Sequence, residues 1–156
     1  HNNLAQWNWP EALVASVPIG ILVMLIVWIN QFQDTPADAA AGKRTWVVRT
    51  AVKDKWYRLE KPLRLYKQFM ILAFVGITII GIMGVFTSFG TPYAFVALLP
   101  LAMAWKAFKL ADKWMLQWND ENEDRQKVPY KLLMVNVLTI GIHFLVGVLL
   151  SVAYLF

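Results

Sequence analysis

The 156-residue sequence contains no cysteine and only two histidines. The missing thiols exclude a disulfide framework, thiolate nucleophiles and metal sites built on cysteine. Charged residues make up only 16% of the chain, and no lysine or arginine precedes Lys43. The sequence also lacks an initiating methionine and a charged leader with a cleavage signal. We therefore expect a piece of a longer polypeptide, a processed chain, or the ordered part of one.

Apolar residues are in excess, at 58% of the chain with a mean hydropathy of +0.48. Soluble domains contain about 45–50% apolar residues, so this composition is typical of a membrane protein. Long apolar runs alternate with two charged segments and one short uncharged turn. We predict an all-α, polytopic transmembrane bundle that forms a single domain over residues 1–156. Its four spans are expected at about 12–32, 68–86, 93–111 and 132–156.

All fifteen lysines and arginines fall in or beside the two charged segments, which cover residues 33–67 and 106–131. The positive-inside rule then predicts that both segments are cytoplasmic and that the chain ends lie outside. We expect an integral protein of the cell (inner) membrane. Aromatic residues recur among the charges of the first segment, which predicts an interfacial helix there, lying over the site. The basic residues flank apolar spans and do not line one face, so nucleic acid is not an expected partner.

A pattern of polar residues follows the first span. Asn30, Asp34 and Asp38 are spaced four apart, which places them on one face of a helix. Two carboxylates can hold Mg²⁺ together with phosphate oxygens, and the nearby Lys43 and Arg44 can neutralise phosphate charge. The pattern predicts a diphosphate–metal site at the membrane surface. Solvated carboxylates beside basic residues that only fix topology remain the open alternative.

The remaining polar and small residues are given structural interpretations. Pro36 lies inside the aspartate pattern and predicts a kinked helix end. His143 and Asn136 fall within the fourth span and are interpreted as neutral groups hydrogen-bonded inside the bundle. The acidic cluster 120–124 is interpreted as a solvated loop. Three glycines of the second span are expected to let helices approach closely: Gly76, Gly81 and Gly84.

The segment from Asn30 to Arg49 resembles the UbiA superfamily of membrane prenyltransferases. That family has a second aspartate motif, D-x-x-x-D, preceded by Asn and followed by a Gly-Lys-(Arg)-Thr-like segment. Here the aspartates are Asp34 and Asp38, and the basic segment is Gly42 to Thr45. The Asn-x-Phe-x-Asp opening and the Gly-Lys-Arg-Thr-x-Val-Val-Arg continuation look closest to the 1,4-dihydroxy-2-naphthoate polyprenyltransferases. The resemblance covers nearly the whole chain.

The resemblance implies a fold of about nine transmembrane helices, of which this chain would supply the last four. It also implies Mg²⁺-dependent transfer of a prenyl group from a polyprenyl diphosphate to an aromatic acceptor, in a menaquinone-like quinone pathway. Asp34 and Asp38 would then hold one Mg²⁺. Lys43 and Arg44 would contact the diphosphate, and Asn30 would orient a ligand or water.

The family's first motif, N-D-x-x-D-x-x-x-D, is absent from these residues. We therefore expect a partner segment to supply it, and we expect no transfer by residues 1–156 alone. A non-catalytic UbiA-like subunit that acts as a scaffold in a larger membrane complex is the alternative. The acceptor and the prenyl chain length are not determined by any residue of the sequence.

Overall fold

A computed structural model describes residues 9–53, 56–124 and 127–156. In these residues the helices are α1 (Trp9–Ala40), α2 (Trp46–Thr50), α3 (Glu60–Phe86), α4 (Leu101–Asn119) and α5 (Leu133–Ala153). Strands β1 (Val52–Lys53) and β2 (Tyr57–Arg58) pair antiparallel. Two 3₁₀ helices, Pro92–Leu98 and Val128–Leu132, precede α4 and α5.

Four helical segments of the described chain are long and apolar enough to cross a membrane. They are Pro10–Ala40, Glu60–Phe86, Pro92–Asn119 and Val128–Ala153. The prediction of an all-α polytopic bundle is confirmed. The third segment joins a 3₁₀ helix to α4 at Pro100, and α4 continues to Asn119, beyond the predicted end of the span.

Helix α1 extends beyond the predicted end of the first span. Its 32 residues run without interruption through Pro18 and Pro36. At 1.5 Å per residue the helix is roughly 48 Å long, whereas the hydrocarbon core of a bilayer is about 30 Å thick. The last turns of α1, which bear the aspartates, therefore lie at the charged end of the bundle, beyond the length that one span requires.

The core of the bundle lies between α1, α3 and α5, and α4 packs on α5. A buried hydrogen bond, 2.7 Å between the Tyr66 hydroxyl and Thr139 Oγ1, joins α3 to α5. Three small residues of α4 face inward and let it approach α5 closely: Ala104, Ala107 and Ala111. These contacts fix the spacing of the helices on which the candidate site is built.

The predicted interfacial helix is present only as the five-residue α2. Because the turn at Gly42 and the β1–β2 pair take up much of the segment between α1 and α3, no surface helix longer than α2 is seen in the described residues. Val47 of α2 is fully buried, and the ring of Trp46 stacks on Trp28 with centroids 6.4 Å apart. The short helix is thus attached to the side of α1 close to the aspartates.

Two of the three glycines of the second span allow a close approach, as predicted. A Cβ added to Gly84 would overlap the backbone of Thr91 and Pro92, and one added to Gly81 would lie 2.8 Å from the Phe95 ring. At Gly76 an added Cβ would make only an ordinary 3.7 Å contact. The first 3₁₀ helix can therefore pack directly on α3 only where α3 has no side chain.

Gly84→Ala is expected to destabilise the bundle, because the clash is with backbone that cannot rotate away. The expected loss is roughly 1–3 kcal/mol of unfolding free energy, the usual cost of overpacking. Gly147→Ala is the matched control, since no atom lies within 4 Å of a Cβ built at this helical position. Reversible unfolding in mixed micelles measures both variants, and equal stabilities would contradict the close approach.

Candidate functional site

The three polar residues of the predicted motif lie on one helix. Asn30 and Asp34 are exposed, whereas Asp38 is 8% exposed. They continue an exposed apolar face of α1 that includes Val23 and Val27. The motif therefore occupies the polar end of a partly exposed face of α1, whose exposed residues include Asp34 and Val27.

Asp38 is covered by the chain reversal that ends α1. Gly42, at φ +73°, has the left-handed backbone conformation that favours glycine. The Lys43 N–H donates to the Asp38 carbonyl at 2.8 Å, and the Gly42 N–H donates to the Ala39 carbonyl at 3.1 Å. These two bonds form a Schellman ending. The reversal also places Lys43 Nζ 3.0 Å from Asp38 Oδ1, so the lysine neutralises this carboxylate.

The two cations of the motif have different surroundings. Lys43 is paired with Asp38, whereas Arg44 is exposed and has no acidic partner within the described ranges. Thr45 then caps α2, because its hydroxyl accepts the Val48 N–H at 3.3 Å. Arg44 is thus the basic residue of the motif that is available to an incoming anion without breaking an ion pair.

Asn30 is linked to the last helix of the bundle. The Asn136 side-chain amide donates to Asn30 Oδ1 at 2.7 Å and so joins α5 to α1 beside the aspartates. This bond agrees with the interpretation of Asn136 as a neutral group hydrogen-bonded inside the bundle, although the sequence did not identify Asn30 as its partner. Both asparagines lie near the charged ends of antiparallel spans, so they are at a similar depth in the membrane. That similar depth is the sequence signal from which their contact could have been predicted.

Other polar atoms near the site have unused hydrogen-bonding capacity. Among the described residues, Asn136 Oδ1 and Gln33 Nε2 are buried without a partner. Gln31 also contributes structurally, because its Oε1 accepts the Val47 N–H at 3.3 Å and docks α2 on α1. The two unpartnered atoms are positioned on the two helices that the Asn30–Asn136 bond connects.

The other candidates from the sequence remain outside this cluster. His143 is seven residues, or roughly 10 Å, below Asn136 on α5. Its Nδ1 is buried with no partner in the described part of the chain, so the expected hydrogen bond is not seen at that atom. In the acidic loop, Glu123 pairs with Lys131 at 2.8 Å and Asp124 pairs with Lys127 at 3.3 Å.

The two aspartates are suited to a metal ion whose other coordination positions are filled by phosphate oxygens and water. Within residues 9–53, 56–124 and 127–156, no three His, Cys, Asp or Glu side chains gather closely enough to hold a metal. Asp34 and Asp38 are one helical turn apart, which sets their Cβ atoms roughly 5–6 Å from each other. Mg²⁺ commonly binds one or two carboxylates, with waters and phosphate oxygens filling its other positions. The two aspartates fit that arrangement, and the Lys43 contact leaves one Asp38 oxygen available.

A family model for the UbiA prenyltransferase family matches residues 1–127. No curated protein and no solved structure matches the chain. The matched range contains all five predicted site residues, from Asn30 to Arg44, together with α1 to α4. Asn136, on α5, lies beyond it.

The bond between Asn30 and Asn136 is expected to couple the two residues energetically. Hydrogen bonds between membrane helices contribute about 0.6 kcal/mol on average and up to about 1.7. Asn30→Ala and Asn136→Ala, alone and combined, should therefore give a coupling of this size in unfolding free energy. Asn30→Ala combined with Thr78→Ala is the control, because the Thr78 hydroxyl bonds only its own helix, at the Phe74 carbonyl. Strict additivity in the asparagine pair would show that the bond does not form.

Proposed function

The chain belongs to the UbiA prenyltransferase family, and from that premise we propose that it takes part in Mg²⁺-dependent prenyl transfer from a polyprenyl diphosphate to an aromatic acceptor. Family membership and four apolar helices identify an integral membrane protein of prenyltransferase type. One observation carries the finer proposal. Two carboxylates lie on one face of α1, and Lys43 and Arg44 follow at its end.

The reaction requires charge stabilisation at the diphosphate. Breaking the allylic C–O bond leaves a carbocation and a diphosphate anion, and preorganised positive charge near the anion lowers the barrier. Bound Mg²⁺ supplies Lewis-acid stabilisation of the leaving group. Asp34 and Asp38 hold this ion, and Arg44 donates charge-assisted hydrogen bonds to the diphosphate oxygens.

Lys43 has two roles in the proposal. In the substrate-free chain it pairs with Asp38, whose side chain is only 12% exposed, and so avoids an uncompensated charge at a nearly buried position. With Asp38 as a ligand of Mg²⁺, Lys43 would be the residue that donates a charge-assisted hydrogen bond to the diphosphate. A hydrogen bond of this charged kind contributes about 1.5–3 kcal/mol.

The partly exposed face of α1 suggests where the rest of the enzyme binds. This face is apolar at Leu13, Val17 and Val27 and leads directly to Asp34. Helices that bear the first aspartate motif pack here in the proposal, which brings a second set of carboxylates opposite Asp34. The prenyl tail lies along apolar helix faces that open to the bilayer.

The finer acceptor assignment depends on the motif alone. The Gly-Lys-Arg-Thr-x-Val-Val-Arg run from Gly42 to Arg49 resembles the 1,4-dihydroxy-2-naphthoate polyprenyltransferase branch, and this resemblance is the reason for proposing a menaquinone-type product, since no residue of the sequence determines the acceptor. Asn30, held by Asn136, orients a ligand or water beside the diphosphate in this proposal.

A second candidate function is favoured by the structural uses of the motif. Lys43 pairs with Asp38, Gly42 ends α1, Thr45 caps α2 and Asn30 bonds α5. A non-catalytic membrane subunit, retained as a scaffold in a larger complex, would keep these residues for folding. Only Asp34 and Arg44 lack such a contact within the described residues, so substitutions at these two positions distinguish the candidates most sharply.

Asp34→Asn and Asp38→Asn are expected to reduce prenyl transfer by about 10²-fold, the usual effect of removing one electrostatic stabiliser. The protein is co-expressed with a segment that carries the first aspartate motif. Product is then measured from a radiolabelled polyprenyl diphosphate and a mixture of aromatic acceptors. Asp112→Asn is the matched control, because Asp112 is an exposed acid on α4 that pairs with Lys67.

Each outcome of this assay has a distinct meaning. Normal turnover in both aspartate variants would show that the carboxylates are only solvated and have no role in the reaction. Robust product from residues 1–156 alone would contradict the need for the first motif. If no partner segment yields product, the prenyltransferase proposal is overturned and the scaffold function is favoured.

The charged segments are expected on the cytoplasmic side of the cell membrane, because the basic residues gather there. The chain has no cysteine, so a single introduced cysteine is the one thiol in the protein that a maleimide can label. Ser88→Cys should react with an impermeant maleimide in intact cells, and Lys61→Cys only after permeabilisation; both positions are exposed. Labelling of both from the same side would contradict the topology.

A further inference from the structure

Two grooves lie along α3. The first is a polar groove of about 380 Å³ at the charged end, where Arg58 of β2 meets Lys61 and Arg64 of α3. The second is an apolar groove of about 280 Å³ between α3 and α4, lined by residues that include Val75 and Trp105. Neither groove includes a residue of the candidate site described above.

The two grooves are aligned on one face of α3. Residues seven apart in an α-helix point in nearly the same direction, so Arg64 of the polar groove stands directly above Ile71 of the apolar groove. Lys61 and Thr78 mark the two ends, roughly 25 Å apart along the helix axis. The shared face of α3 is therefore cationic at the charged end and apolar within the span, and Lys67, paired with Asp112 of α4, lies between the two grooves.

The polar groove has unbalanced positive charge. Arg58 pairs with Glu60 at 3.4 Å. Lys61 and Arg64 have no acidic partner among the described residues. On α4, Lys109 lies 5.2 Å from the centre of the Trp105 ring, and Trp105 itself lines the apolar groove. Such a combination of cations and tryptophan is typical of a membrane interface.

The grooves are on the opposite face of α3 from α1. Trp28 of α1 donates from Nε1 to the Pro62 carbonyl at 3.3 Å, and its ring lies 6.1 Å from that of Phe69. Pro62 and Phe69 project roughly opposite to Arg64 and Ile71 at 100° per residue. The aspartates of α1 are therefore separated from the grooves by the body of α3.

We propose that the aligned grooves bind an anionic phospholipid, with the phosphate at Lys61 and Arg64 and an acyl chain along the apolar groove. A singly charged phosphodiester needs only the two unpaired cations. A prenyl diphosphate would need a metal, and the one carboxylate in the polar groove, Glu60, is already paired with Arg58. The site is independent of the prenyl-transfer proposal.

The test measures lipid retained by the intact protein after purification from nanodiscs. The nanodiscs contain equal amounts of phosphatidylglycerol and phosphatidylcholine, and the lipid molecules that stay bound to the protein are counted by native mass spectrometry. Each interfacial cation contributes about 1 kcal/mol to anionic-lipid binding, a factor of roughly five. Lys61→Gln and Arg64→Gln should each reduce phosphatidylglycerol binding about fivefold. Lys106→Gln is the charge-matched control, since this exposed lysine lines neither groove.

The apolar groove is tested separately. Val75→Trp should fill it and release lipid, whereas Ile79→Trp, at an exposed position one turn further along α3, should not. Glycerol phosphate, which has no acyl chain, should bind far more weakly than the lipid. Equal retention of both lipids, equal effects of Lys106→Gln and Arg64→Gln, or displacement by farnesyl diphosphate at stoichiometric concentration would overturn the proposal.

Discussion

The structure depends on the length of α1, which runs as one helix from Trp9 to Ala40. No water is available in the hydrocarbon core to satisfy free N–H and C=O groups, so the span must be a helix. The helix continues through Pro36 to Ala40, although neither Pro18 nor Pro36 has an N–H to donate, and it is longer than one span requires. Its last turns bear Asn30, Asp34 and Asp38, and the position of every other site residue follows from where α1 ends.

The end of α1 then determines the electrostatics of the site. Gly42 reverses the chain, and the reversal brings Lys43 onto Asp38. The same turn directs Thr45 to cap α2, and α2 is held against α1 through Gln31 and Trp28. A motif associated with diphosphate chemistry thus also completes a helix end, and substitutions within it change both folding and charge.

The sequence was sufficient to predict four apolar helices of membrane-spanning length, because a bilayer requires that length and hydropathy. It also located the face of α1 that bears the aspartates, because helical spacing is a local property. It did not predict the length of the interfacial helix, since Pro36 suggested an earlier end to α1 than the structure has. The bond from Asn136 to Asn30 joins residues 106 positions apart and required tertiary packing to be known.

The central claim is that Asp34 and Asp38 hold a divalent metal when diphosphate is present. Paramagnetic resonance of Mn²⁺, used in place of Mg²⁺, tests this directly on the protein assembled with a first-motif segment. Mn²⁺ should bind more tightly when an unreactive prenyl thiodiphosphate is added, and this tightening should disappear in the double variant Asp34→Asn, Asp38→Asn. Unchanged Mn²⁺ binding in the double variant would contradict the account.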